Sequence, residues 1–228
     1  MADKTIRILG IESSCDETAA AIVEDGRHIV ADFISTQIDI HKQYGGVFPE
    51  VASRQHVLAV YAVIEDVMTK AHMSYSDIDA IAVTRGPGLA GSLVVGLNAA
   101  KGLALATGLP LIGVNHLEGH IYSSWVYSDR DEVIPDEPQF PAIILLVSGG
   151  HSEIILVTDH LHYQRLGGTL GIDALFEQIA RAKPQANGLF VQGKRLIKGQ
   201  VVVAYGLNDL VKAALDILER FIGFVCHR

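Results

Sequence analysis

Apolar residues in the first 35 positions come in short stretches, each closed by a polar or glycine-containing break. Ile6, Ile8, Leu9 and Ile11 mark a buried strand over 5–11. Residues 19–23 and 28–35 give two more, joined by short turns with Gly26 in the second. The period then changes. Val57, Val60, Tyr61, Ile64 and Met68 recur at three and four, the apolar stripe of a helix over 49–71, and Pro49 suits its first turn. Strand 79–84 carries Ile81 and Val83. A Gly/Ala-rich helix follows over 88–107, then strand 111–114 entered through Pro110. A helix from 116 to about 127 comes next, with Asn115 as its N-cap. The order β-β-β-α-β-α-β-α predicts an α/β fold.

Residues 128–139 break this pattern. They are acidic and contain Pro135 and Pro138, the signature of a linker between lobes. Strand patterns resume over 141–147, 153–157 and 162–166, as if a second lobe begins. Beyond Leu170 the pattern predicts a helix over 172–182, a strand over 200–205 and a helix capped by Asn208 or Asp209 and running to about 221. The predicted domains are 1–130 and 140–228.

Composition narrows the class. With 228 residues, 49% hydrophobic and 19% charged, the chain can bury a sizeable core, which excludes whole-chain disorder. No apolar run approaching 18 residues is read, so no membrane helix is expected. The start Met1-Ala2-Asp3-Lys4 lacks a signal-peptide layout. Two cysteines, Cys15 and Cys226, make no disulfide framework, so a cytoplasmic protein is expected. The net charge of −8 means that nucleic acid would have to be gripped by local basic patches or by partner subunits.

Several motifs carry candidate chemistry. His116 and His120 stand four apart on a predicted helix, so both imidazoles can reach one cation; two capping or exposed histidines are the plainer reading. Zinc-protease helices have glutamate directly after the first histidine. Here Leu117 holds that position and Glu118 comes one later, roughly 100° around the helix. The turn Gly86-Pro87-Gly88-Leu89-Ala90-Gly91 either presents N–H groups to an anion or packs small residues at a strand–helix junction. Ser148-Gly149-Gly150-His151 is either a backbone cradle or a β-turn. Gly10-Ile11-Glu12-Ser13-Ser14-Cys15-Asp16-Glu17-Thr18 joins the first two strands, as polar hairpin loop or, through its hydroxyls and carboxylates, as ligand for a metal–nucleotide complex. Cys15 reads as a small buried side chain, with no basic neighbour in sequence to activate it. Gln43-Tyr44-Gly45-Gly46-Val47-Phe48-Pro49-Glu50 is a mobile binding loop or a connection, and Arg54 and His56 either serve a ligand or, in the plainer reading, are solvated helix residues.

Taken together, Gly10-Ile11-Glu12-Ser13-Ser14-Cys15-Asp16-Glu17-Thr18, Gly45-Gly46-Val47-Phe48-Pro49-Glu50-Val51-Ala52-Ser53-Arg54, Gly86-Pro87-Gly88-Leu89, His116-Leu117-Glu118-Gly119-His120 and Leu146-Val147-Ser148-Gly149-Gly150-His151 resemble the bacterial branch of the TsaD family, the tRNA adenosine threonylcarbamoyltransferases once labelled sialoglycoprotein endopeptidases. Five spaced motifs in one order, across about residues 5–170, make the resemblance specific. It implies a two-lobed actin and sugar-kinase fold. It also implies transfer of threonylcarbamoyl from threonylcarbamoyl adenylate to N6 of the adenosine beside the tRNA anticodon. By the same resemblance, His116 and His120 match ligands of one divalent metal ion, iron or zinc. Leu146, Val147, Ser148, Gly149 and Gly150 match the substrate-binding loop, and Asp16 and Glu17 a polar pair near the reacting centre. The implied partners are a TsaB-like paralogue, a TsaE-like ATPase that uses ATP, and tRNA, with no membrane.

The resemblance departs after Leu170. The family continues with Asp-Asp-Ala-Ala-Gly-Glu-Ala-Phe-Asp-Lys and a Tyr-Pro-Gly-Gly-Pro loop, where this chain reads Gly171-Ile172-Asp173-Ala174-Leu175-Phe176-Glu177-Gln178. The family's late metal-binding aspartate has no counterpart here. An incomplete second lobe is therefore expected. A non-catalytic, partner-binding remnant is the alternative function, and a metalloprotease a lesser one.

Overall fold

The computed structural model describes residues 4–147, 152–169, 192–197 and 200–205. The chain forms two compact units. Met1–Gly119 and Val126–Ile134 make the first; His120–Trp125 and Pro135–Arg228 belong to the second.

The first unit is a mixed sheet. β1 (Arg7–Glu12), β2 (Glu17–Glu24) and β3 (His28–Thr36) form an antiparallel meander. The chain then passes through a single turn, α1 (Ile38–His41), which the sequence pattern did not signal, into α2 (Pro49–Lys70). β4 (Ala80–Gly86) pairs parallel with β1, α3 (Ala90–Thr107) crosses over, and β5 (Leu111–Asn115) pairs parallel with β4. With β6 (Tyr127–Ser128) on the far edge, the order is β5-β4-β1-β2-β3-β6. Period-two alternation puts Leu9, Ile11, Ala20, Ile22, Ala31, Ile81 and Val83 on one face. They pack there with Val60, Val63, Ile64, Val67 and Met68 of α2 and Ala100 of α3.

Three expectations for this unit need correction. The buried stripe of α2 is Ala52, His56, Val60, Val63, Ile64, Val67 and Met68; Val57 and Tyr61 point away and are exposed with Leu58. The helix expected to reach about residue 127 is α4 (His116–Tyr122). Ser123 ends it by turning its hydroxyl back to the His120 carbonyl at 2.6 Å, and Tyr127 instead pairs with His28 as a strand. The supposed linker is partly docked. Asp131 accepts from the Ser128 backbone and hydroxyl, His28 Nε2 lies 2.9 Å from Asp129, and Arg130 pairs with Asp32.

A further correction concerns α3. Its 18 residues carry only Lys101 as a charge and reach a mean hydropathy of 1.2, so by length and composition it is apolar enough to cross a membrane. Its place argues otherwise. A helix that links two parallel neighbours of one sheet is a crossover packed on that sheet.

The second unit is an antiparallel sheet, ordered β10-β11-β7-β8-β9: β7 (Ala142–Val147), β8 (Ser152–Asp159), β9 (His162–Thr169), β10 (Gln192–Ile197) and β11 (Gln200–Tyr205). β7 is buried on both faces from Ala142 to Leu146, as its unbroken apolar run implies. β11 falls where a strand is expected; β10 carries no apolar alternation that would reveal it. The helices expected over 172–182 and 208–221 lie outside the described residues. Tyr122, Trp125, Phe140 and His160 form an aromatic cluster in this unit, with Tyr122 stacked on His160 at 5.9 Å.

Candidate active site

β1, β4 and β5 run parallel, so their carboxyl ends emerge together, the usual place for ligands on such sheets. Each delivers one polar residue there. Glu12 ends β1, Thr84 lies near the end of β4, and His116 follows β5 as the first residue of α4. Asn115 accepts the Leu117 N–H at 2.8 Å, so it caps α4 as its sequence position predicts.

Glu12 is bonded to Thr84, His116 and Ser14, and Ser14 also to His116. The Thr84 hydroxyl and the Ser14 backbone N–H donate to Glu12. His116 Nδ1 lies 3.3 Å from Glu12 and 3.1 Å from Ser14 Oγ. Burial pushes the Glu12 carboxyl upward, but hydrogen bonds from His116, Ser14 and Thr84 outweigh it and hold the group at about 2. An ionised carboxylate only accepts, so Nδ1 of His116 donates to Glu12 and Nε2 is the ring nitrogen not used in that bond. A carboxylate on one ring nitrogen is the usual support of a histidine that ligates metal through the other. The donor chemistry at His116 therefore fits a metal ligand. Among the described residues no three His, Cys, Asp or Glu side chains gather into a metal-holding group. His120 follows one turn later on α4, at the spacing read from the sequence.

The connection carrying Asp16 is seated from below. Ser13 is buried and its hydroxyl donates to the Ser92 carbonyl at 2.8 Å. The Ser14 carbonyl accepts the Leu89 N–H at 2.7 Å, where α3 begins. A Cβ on Gly88 would lie 2.6 Å from the Ser14 carbonyl oxygen, and one on Gly96 2.3 Å from Ser13 Oγ. These glycines make room for the connection, which supports the packing reading of the Gly86–Gly91 turn over an anion cradle. Asp16 accepts the Gln37 N–H at 3.0 Å through its backbone, and Glu17 opens β2 opposite Thr36.

Cys15 is exposed, not buried as expected. Its thiol is still partly desolvated, and with the neighbouring Asp16 carboxylate this pushes it up to about 11, which keeps it protonated and unreactive. His56 reverses its expectation outright: it is fully buried. Leu146 is buried in β7 opposite Glu153, and Val147 pairs with Ser152. Ser148, Gly149 and Gly150 lie outside the described residues.

The sequence pattern places Glu12 and Ser14 only within a polar connecting segment and does not single out Thr84. The signal was available for Glu12. Period-two alternation from Leu9 and Ile11 leaves Gly10 and Glu12 on the opposite face, and an acidic residue closing an otherwise apolar strand is rarely there for packing.

A family model described as "TsaD: tRNA N6-adenosine threonylcarbamoyltransferase" matches residues 28–216. The chain belongs to the TsaD family. A TsaD-family protein of Dehalococcoides mccartyi, named tRNA N6-adenosine threonylcarbamoyltransferase, is 55% identical over 164 residues, covering 72% of this chain and 48% of that protein. One of the same name from Bacillus subtilis is 48% identical over 180 residues, covering 78% and 50%. The chain thus spans about half the length of these curated relatives. Among solved structures, YeaZ from Pseudomonas aeruginosa aligns with a TM-score of 0.44 at 16% identity, over 71% of this chain and 64% of that one.

Proposed function

We propose that this chain serves the transfer of a threonylcarbamoyl group from threonylcarbamoyl adenylate to N6 of the adenosine beside the tRNA anticodon. The observation that carries the reading is the convergence of Glu12, Thr84, Ser14 and His116 at the carboxyl ends of three parallel strands, in a chain 55% identical to a relative named for this reaction. The strand order β5-β4-β1-β2-β3 with two crossover helices supports an actin and sugar-kinase lobe.

In this reading N6 attacks the carbamoyl carbonyl carbon, the new N–C bond forms, and the C–O bond to the adenylate phosphate breaks. The amine proton passes to a carboxylate, for which Asp16 and Glu17 are the candidates. The backbone of 146–150 holds the adenylate. His116, through the ring nitrogen not bonded to Glu12, and His120 would hold a divalent ion, iron or zinc. Such an ion supplies polarisation of the carbonyl or neutralisation of the departing phosphate. Glu12 fixes the tautomer and ring orientation of His116.

tRNA is a polyanion and the chain carries a net charge of −8, so the reading includes helpers: a TsaB-like paralogue and a TsaE-like ATPase. Exposed Val57, Leu58 and Tyr61 on α2 and Val94 on α3 supply an apolar surface for the paralogue. The test is mass spectrometry of tRNA nucleosides after incubation with threonylcarbamoyl adenylate and both partners. Modified adenosine that disappears in Asp16→Asn/Glu17→Gln and in His116→Ala supports the reading; product levels unchanged in either variant overturn those roles. Robust product from the isolated chain overturns the need for partners.

A further inference from the structure

His56 is polar, fully buried, and bonded at both ring nitrogens. Nε2 lies 3.1 Å from the Cys15 carbonyl oxygen and Nδ1 2.8 Å from Thr18 Oγ1. A carbonyl only accepts, so Nε2 carries the proton and Nδ1 accepts from Thr18. Gln37 Nε2 also approaches Nδ1, at 3.5 Å, and donates to the Ala52 carbonyl at 3.4 Å. Gln37 Oε1 in turn accepts from His41 Nε2 at 3.0 Å, and His41 Nδ1 accepts the Phe48 N–H at 3.3 Å. Both Gln37 and His41 are buried.

These bonds form a chain with one direction: Phe48 to His41 to Gln37 to His56 to Cys15. Each imidazole donates once from Nε2 and accepts at Nδ1. An added proton on His56 would set N–H against the Thr18 hydroxyl, which would have to turn, and against the Gln37 amide. The far end of the chain is the carbonyl of the residue before Asp16.

We propose that His56 is the positioning residue of the 13–17 connection: as a neutral imidazole in this buried chain it fixes the Cys15 carbonyl, and with it the backbone that carries Asp16 and Glu17. The catalytic consequence rests on the roles proposed above for Asp16 and Glu17; the positioning does not. The surroundings agree with a neutral ring. Burial lowers its pKa and His41 adds to the lowering, while the Cys15 carbonyl, Glu12 and Asp16 pull the other way. His41, Glu12 and Asp16 are the titratable groups whose charges act on the ring.

Two measurements on the full chain test this. The first is the nitrogen chemical shifts of the His56 ring in the wild type at pH 7. A neutral ring protonated on Nε2 is expected; a charged ring, or one protonated on Nδ1, overturns the proposal. The second is hydrogen exchange by peptide mass spectrometry in His56→Ala and His56→Gln. The alanine variant should exchange roughly tenfold faster over 13–18 with the 60–68 core segment unchanged, and glutamine, which can donate to Cys15 and accept from Thr18, should restore most of the protection. Unchanged exchange over 13–18, or glutamine behaving like alanine, overturns the positioning role, and so does faster exchange spread equally over the unit. None of these readouts depends on tRNA modification, so failure here is distinct from failure of the proposed function.

Discussion

Gly88 and Gly46 look alike in the sequence, each in a short glycine-bearing run ahead of a helix, yet the structure uses them in opposite ways. Gly88 is a filled seat: the Ser14 carbonyl lies where its side chain would be. Around Gly46, and around Gly45 beside it, a Cβ would meet nothing within 4 Å. Gly45 has φ of 72°, a left-handed conformation that L side chains resist, whereas Gly46 shows no such constraint. The difference separates three reasons for glycine: close approach, backbone angle, and neither. Only the first ties a glycine to the candidate site.

The comparison can be broken by substitution. Gly88→Ala should cost about 2–3 kcal/mol, because the Ser14 backbone cannot yield without pulling on Glu12 and His116. Urea denaturation measures it, and a loss under 1 kcal/mol would mean the seat is loose. Glu12→Gln should come next, at about 1–2 kcal/mol near pH 7, since it removes charge-assisted hydrogen bonds from Ser14, Thr84 and His116. The sign with pH is definite. The folded carboxyl titrates at about 2, below its ordinary value of 4.5, so its contribution is complete above about 4.5 and is lost as pH falls toward 2. The gap between wild type and Glu12→Gln should therefore close over that window; a constant gap would remove the charge argument. Gly45→Ala should cost about 1 kcal/mol from backbone angle alone, with hydrogen exchange over 13–18 unaltered. Gly46→Ala should stay within about 0.5 kcal/mol of the wild type in the same denaturation series. A Gly46 effect as large as that of Gly88 would erase the distinction.

Much of the first unit was legible because burial there follows simple periods. Leu9 and Ile11, Ile81 and Val83 alternate, and Val60, Ile64 and Met68 recur on a helix face, so strands and helices could be placed from the pattern. The errors arose where tertiary contact decides. Val57 and Tyr61 continue the stripe of α2 but have no sheet beneath them. Tyr127 has a strand partner in His28 that lies 99 positions earlier, which local reading cannot see. His56 looked solvated because histidine usually is, and only the structure brings Thr18, Gln37 and Cys15 around it. The histidine spacing of α4 was readable, whereas the carboxylate behind His116 depended on a pairing across the sheet.

Glu12 is separated along the chain by 72 residues from Thr84 and by 104 from His116, and all three meet at the carboxyl ends of the parallel strands of one sheet. Closing loops of that length costs entropy that no local contact returns. The β1–β3 meander can form from neighbours alone, but the meeting point exists only after β4 has paired with β1 and β5 with β4. Occupancy of the His116 environment, followed by the shift of its ring nitrogens during refolding, would therefore time the closure of the whole first unit. A signal that rises with the meander instead of after it would place the crossovers earlier on the folding route than their chain separation implies.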